Sequence, residues 1–90
     1  MTTLTQIRSV LVQEGIITPE EEYATKLIAR IRYARVREGI SQSELSRRSG
    51  VPQKTISRME NGLSMPSIST LYKLVDSMGY TFKFDLEKRN

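Results

Sequence analysis

Apolar residues recur along this chain at helical spacing, and glycines and prolines cut the pattern into short segments. Leu4, Ile7, Val10 and Leu11 share one face of a first segment, which Gly15 terminates. Thr18-Pro19-Glu20-Glu21 then has the form of a helix start, with Thr18 as cap, Pro19 at the first helical position and Glu21 closing a capping box. The helix it opens is expected to run to about Arg37, with Ala24, Leu27, Ile28, Ile31 and Ala34 as its apolar stripe. Ser41 and Glu44 have the same capping-box spacing, which predicts a helix to Ser49 with Leu45 inward and Gly50 as its stop. Beyond a bend at Val51-Pro52, a helix from about Gln53 to Glu60 buries Ile56 and Met59 and leaves through Asn61-Gly62. Ser67 caps a last helix with the stripe Leu71, Leu74, Val75 and Met78, stopped by Gly79. The period then falls to two. Tyr80, Phe82, Phe84 and Leu86 alternate with Thr81, Lys83, Asp85 and Glu87, which predicts a strand over Tyr80–Leu86.

The pattern describes an all-α domain of about five helices with a short C-terminal strand. Ninety residues suffice for one small domain with a modest core. We expect an N-terminal helical extension over residues 1–25, a central domain over 26–79 and a C-terminal dimerisation strand and tail over 80–90. Met1 to Val12 lacks the basic start and continuous apolar stretch of a signal peptide, and no apolar run approaches membrane-spanning length. A cytoplasmic protein is expected.

Composition removes most chemistry. There is no Cys for a disulfide or thiolate site and no His as base or metal ligand. The ten serines include two helix caps, Ser41 and Ser67, and the others lack the usual activating base. Glu20-Glu21-Glu22 complements the positive end of a helix better than it forms a catalytic carboxylate pair. Neither enzymatic activity, a metal nor a cofactor is expected.

Charge is distributed unevenly. Residues 1–25 carry one Arg against four Glu, a net of −3, whereas residues 26–64 carry nine Lys or Arg against three Glu, a net of +6. A basic block in a small domain points to a polyanionic partner. The two helices around Gly50 supply the geometry, since two short helices joined by a tight glycine-containing bend form a helix-turn-helix. The second helix must present its exposed side chains to a DNA major groove about 12 Å wide. Its outward positions are Gln53, Lys54, Thr55, Ser57 and Arg58, all polar and none acidic.

The run Arg35-x-x-Glu38-Gly39-Ile40-Ser41-Gln42-x-Glu44-Leu45-x-x-x-Ser49-Gly50-Val51 resembles the lambda-repressor-like, or Xre/Cro-type, DNA-binding family. Gln53-x-Thr55-Ile56-Ser57-x-Met59-Glu60-Asn61-Gly62 and Pro66-Ser67-x-x-Thr70-Leu71 extend the likeness, which covers about Leu27 to Gly79. The resemblance implies a helix-turn-helix bundle that binds double-stranded DNA at a palindromic operator as a homodimer. It implies that Gln53, Lys54 and Arg58 face base edges, where Gln pairs well with adenine and Arg or Lys with guanine. Thr55 and Ser57 would meet a thymine methyl or a phosphate, and Gln42 and Asn61 would contact phosphates, with Gln42 also bracing the recognition helix. Arg35 and Glu60 match a pair that forms an internal salt bridge in relatives.

Two positions depart from the family pattern. Pro52 stands where Ser or Thr usually caps the recognition helix, a loss of about 0.5–2 kcal/mol of capping that its fixed φ partly offsets. Ser46 replaces a small apolar residue and is expected to bond back to its own helix.

Small size and a short C-terminal extension resemble the HigA-type antitoxins, which implies a transcriptional repressor with a protein toxin partner of the mRNA-cleaving type. The alternative is a free-standing regulator of phage or restriction-modification type. Tyr80, Phe82, Phe84 and Leu86 are expected to pair across the dimer. For the N-terminal segment, with Leu4, Ile7, Leu11 and Ile16, two uses are open: docking on a basic toxin, or packing on its own domain.

Overall fold

The computed structural model describes residues 10, 11, 13–15 and 17–89, and contains four α-helices among them. We label them α1 (Pro19–Arg37), α2 (Gln42–Ser49), α3 (Gln53–Glu60) and α4 (Ile68–Ser77). Apart from helical backbone at Val10, Leu11 and Gln13, the segment expected to form a first helix lies outside the described residues.

Local chemistry starts and stops each helix. Thr18 accepts a hydrogen bond from the Glu21 N–H at 3.1 Å and its own N–H donates to the Glu21 carboxylate, so the capping box is complete. Ser41 and Ser67 cap α2 and α4 through the N–H groups of Glu44 and Thr70. Only half of the expected box forms at α2. The Glu44 carboxylate turns outward to Arg47 and Arg48, and those hydrogen bonds, Arg48's foremost, hold its pKa below the usual carboxylate value. At the end of α3, Gly62 at φ 73° lets its own N–H reach Met59 O while the Leu63 N–H reaches Arg58 O at 2.8 Å.

Twelve apolar residues make one core. Leu45 from α2, Ile56 and Met59 from α3, and Leu71 and Leu74 from α4 are fully buried, with Ile28, Ile31 and Ala34 of α1 closing one side. Helix α2 packs against both α3 and α4, and α1 packs against α3. Among the described residues these core positions are all apolar, so the core gains from apolar burial, and the nearly buried Glu60 carboxylate lies at its edge with charged and amide partners.

The expected strand over Tyr80–Leu86 is absent: residues 81–89 have no regular secondary structure. A period of two selects a strand only where a neighbouring strand satisfies the backbone, and none is present among the described residues. Instead, the Tyr80 N–H closes the end of α4 on Val75 O, and the Tyr80 hydroxyl donates to Glu38 at 3.0 Å. Tyr80 and Phe82 lean on the core, whereas Phe84 and Leu86 are 79% and 97% exposed.

The link between α2 and α3 is also tied differently than expected. Ser46 does not bond back along its own helix; its hydroxyl donates forward to Val51 O at 2.6 Å. Ser49 donates to Leu45 O and accepts the Val51 N–H. Between them Gly50 sits at φ 77°, where an added Cβ would meet no atom within 4 Å. The cost of a side chain there is therefore conformational rather than steric. Gly50→Ala should lower stability by about 1–2 kcal/mol, with Gly50→Asn recovering part of the loss, as measured by urea denaturation.

Candidate nucleic-acid interface

Helix α3 divides into two faces. Ile56 and Met59 are locked in the core, while Gln53, Lys54, Arg58 and, just past the helix, Asn61 are exposed, with Thr55 and Ser57 half-buried. Positions 53, 54, 57, 58 and 61 fall on one side by helical spacing. Among the described residues, none of these side chains is engaged in a hydrogen bond or ion pair with the rest of the chain. Pro52 makes no side-chain cap, and its carbonyl accepts instead from the N–H groups of Thr55 and Ile56. The result is a row of two amides, two cations and hydroxyls, free of acidic groups, on a helix fixed from behind.

What fixes it is gathered on Glu60, the last residue of α3. Its carboxylate is 3% exposed and receives two hydrogen bonds from Arg35, each of 2.8 Å, and one from the Gln42 amide at 3.1 Å. Arg32 adds its charge at 3.6 Å. The third guanidinium nitrogen of Arg35, Nη1, donates to Ile40 O at 2.8 Å, so this guanidinium joins α1, the α1–α2 turn and α3. Burial pushes the Glu60 carboxyl up, but the hydrogen bonds from Arg35 and Gln42 and the charges of Arg35 and Arg32 outweigh it, leaving its pKa lowered. The hydrogen bond to Glu60 raises Arg35 in turn, against the desolvation that lowers it.

Of the residues singled out in the sequence, Gln53, Lys54, Ser57, Arg58 and Asn61 come together on the open face. Gln42, the first residue of α2, places its amide nitrogen on Glu60 at the C-terminal end of α3. Arg35 and Glu60 lie behind that face. Arg32 was missed by sequence reasoning, as was the Ile40 carbonyl: a basic residue on the exposed side of α1 carries no sign that it turns toward a carboxylate 28 positions on. Leu4, Ile7 and Ile16 lie outside the described residues.

Two short helices, a left-handed glycine between them, and a second helix with a buried and an open face define a helix-turn-helix module. The profile of the helix-turn-helix family matches residues 31–84, and the chain belongs to this family in its lambda-repressor-like branch. An uncharacterised HTH-type transcriptional regulator of Haemophilus influenzae is 39% identical over 62 residues, 69% of this chain and 63% of the relative. The HTH-type transcriptional regulator y4dJ of Sinorhizobium fredii is 39% identical over 49 residues, 52% of this chain and 64% of the relative. The antitoxin HipB of Escherichia coli is 35% identical over 54 residues, 60% of this chain and 57% of the relative. The chain thus matches less than two thirds of the length of each of these relatives. No solved structure matches it. Among the described residues no helix is long and apolar enough to cross a membrane.

The buried carboxylate gives the fold an acid sensitivity of known sign. Because the folded-state pKa of Glu60 is lowered, its stabilisation is complete above the ordinary carboxylate value and is lost as the pH falls through the folded value. Glu60→Gln should flatten the loss of stability below about pH 4.5. Glu60→Ala, which strands Arg35 without its carboxylate, should cost about 3 kcal/mol at pH 7. Denaturation midpoints across pH 3–7 check both.

Proposed function

We propose that this chain is a sequence-specific transcriptional repressor that reads double-stranded DNA with α3 and serves as the antitoxin of a type II toxin–antitoxin pair, repressing its own operon. The observation that carries the DNA-binding part is the acid-free open face of α3, held from behind by Glu60, Arg35 and Gln42. Gln53, Lys54 and Arg58 are the base readers, Thr55 and Ser57 supply secondary contacts, and Asn61 and Gln42 bind phosphates. The Gln42 side-chain NH2 has two N–H donors, of which one braces α3 on Glu60 and the other serves the phosphate contact. The antitoxin part is supported by the similarity to HipB. A free-standing regulator is the second reading, favoured by the two relatives named only as transcriptional regulators.

Operator binding is assigned to a homodimer, whose recognition helices would lie about 34 Å apart, one turn of DNA, on a palindromic site. Phe84 and Leu86 are its contacts of choice, since their side chains remain exposed in the single chain, while Tyr80 and Phe82 already pack on its core.

Base readers and phosphate contacts differ in what their loss does. Lys54→Ala and Arg58→Ala should each cost about 1–3 kcal/mol and relax preference at one base-pair position. Asn61→Ala should weaken binding to all sequences alike. Selection from a randomised operator library measures both, and an unchanged base preference in Lys54→Ala would remove it from the readers. Replacing Phe84 and Leu86 together by Ser should turn the dimer into a monomer at micromolar concentration, read by light scattering. Co-expression with the product of the adjacent reading frame decides the antitoxin part: rescue of growth supports it, and a neighbour without toxicity leaves the free-standing regulator.

A further inference from the structure

A groove of about 790 Å³ runs along the outer side of α1, between that helix and the loop that follows α3. Ala24 and Ala29 give it depth, and Tyr33, Val36, Leu63 and Met65 flank it. These last four are between 48% and 64% exposed, a concentration of open apolar surface on a small domain. At the end of the groove nearest the start of α1 stands Ile17, half-buried.

The described residues just ahead of Ile17 are held by two backbone hydrogen bonds. Val10, Leu11 and Gln13 have helical backbone, the Glu14 N–H donates to Val10 O at 2.9 Å, and Gly15 takes the left-handed conformation at φ 72°. The Ile17 N–H then reaches back to Leu11 O at 3.4 Å, and Leu11 is itself half-buried. Only Glu14 to Thr18 separate this helical turn from α1, and connections this short set two helices side by side and antiparallel. Lengths agree as well. From Glu21 to Val36 the groove follows α1 for about 22 Å, and thirteen residues of helix measure about 20 Å at 1.5 Å per residue. Leu4, Ile7 and Leu11 recur at the three- and four-residue spacing of a single helical face.

We propose that this groove is the seat of the chain's own N-terminal segment, which folds back antiparallel along α1 and lays Leu4, Ile7 and Leu11 against Ala24, Ala29 and Tyr33. Of the two uses open for these residues, the groove selects packing in cis over docking on a foreign protein. The seat also touches the reading helix: Met59, Glu60 and Gly62 line the same groove, so the segment backs the point where α3 ends. The proposal does not depend on the DNA-binding reading, and its test contains no DNA.

The test uses the unaltered chain. Nuclear Overhauser contacts between the methyl groups of Leu4, Ile7 or Leu11 and Ala29 or the Tyr33 ring are expected. In a mixture of isotope-labelled and unlabelled chains they should arise within one chain. Contacts found only between chains would make the occupant a second copy and overturn the proposal, and so would their absence. Ala29→Glu, which puts a charge in the groove at a helix position that tolerates it, should abolish these contacts and speed amide exchange across residues 4–13 at least tenfold. Amides around Leu45 and Leu74 should keep their protection. Unchanged exchange in the N-terminal segment of a folded Ala29→Glu protein would equally overturn the assignment.

Discussion

Everything this module can present to a ligand depends on one buried carboxylate. Glu60 ends α3, and at 3% exposure its side chain would be costly to ionise without partners. Arg35 supplies a two-pronged, geometrically fixed contact, and Gln42 and Arg32 occupy the same oxygen. Apolar packing alone would let an eight-residue helix rotate or slide by fractions of a turn with small loss of buried area. A planar guanidinium on a carboxylate tolerates much less, since both hydrogen bonds weaken steeply with angle. The ion pair therefore contributes orientation more than net stability.

The opposite end of α3 is held by other means. Pro52 offers no side-chain cap, so the start of the helix depends on the turn before it. There Ser46 and Ser49 tie the backbone of Val51 from both sides, around a glycine in the left-handed conformation. Serine at position 46, a departure from the family pattern, thus has a structural role: its hydroxyl crosses the turn that the missing cap leaves less restrained. Helix α3 is anchored by a neutral hydrogen-bonded turn at its start and by a charged network at its end.

Core and surface divide the labour accordingly. Leu45, Ile56 and Met59 fix how closely α2 and α3 approach, and Leu71 and Leu74 support them from α4. On the other side of α3 the amides, hydroxyls and cations make no hydrogen bond or ion pair among the described residues. Keeping those groups out of internal pairs leaves them available to a partner without first breaking a native contact. The family match over residues 31–84 takes in α2 to α4 and part of α1, while over a third of each of the two transcriptional regulators and the antitoxin stays unmatched, so the likeness carries no information about what those other parts do.

The helices were legible because their signals are local. A cap and its N–H lie three residues apart, a glycine acts on its own φ, and the apolar stripe of α1 repeats every three to four residues; α1 to α4 accordingly lie where Thr18, Ser41, Ser67 and the glycines put them. The Arg35–Glu60 pair was visible only through family resemblance, because a separation of 25 positions leaves no local trace of the contact. Gln42 on Glu60, Arg32 beside it and Ser46 across the turn follow from how α1, α2 and α3 are packed, and required the tertiary structure. The C-terminal segment marks the boundary most clearly. Its alternation of aromatic and polar residues is a real property of the sequence, but alternation describes only which side chains share a face. A strand also needs a second backbone to bond to, and among the described residues the fold supplies none, so Tyr80 and Phe82 join the helical core instead.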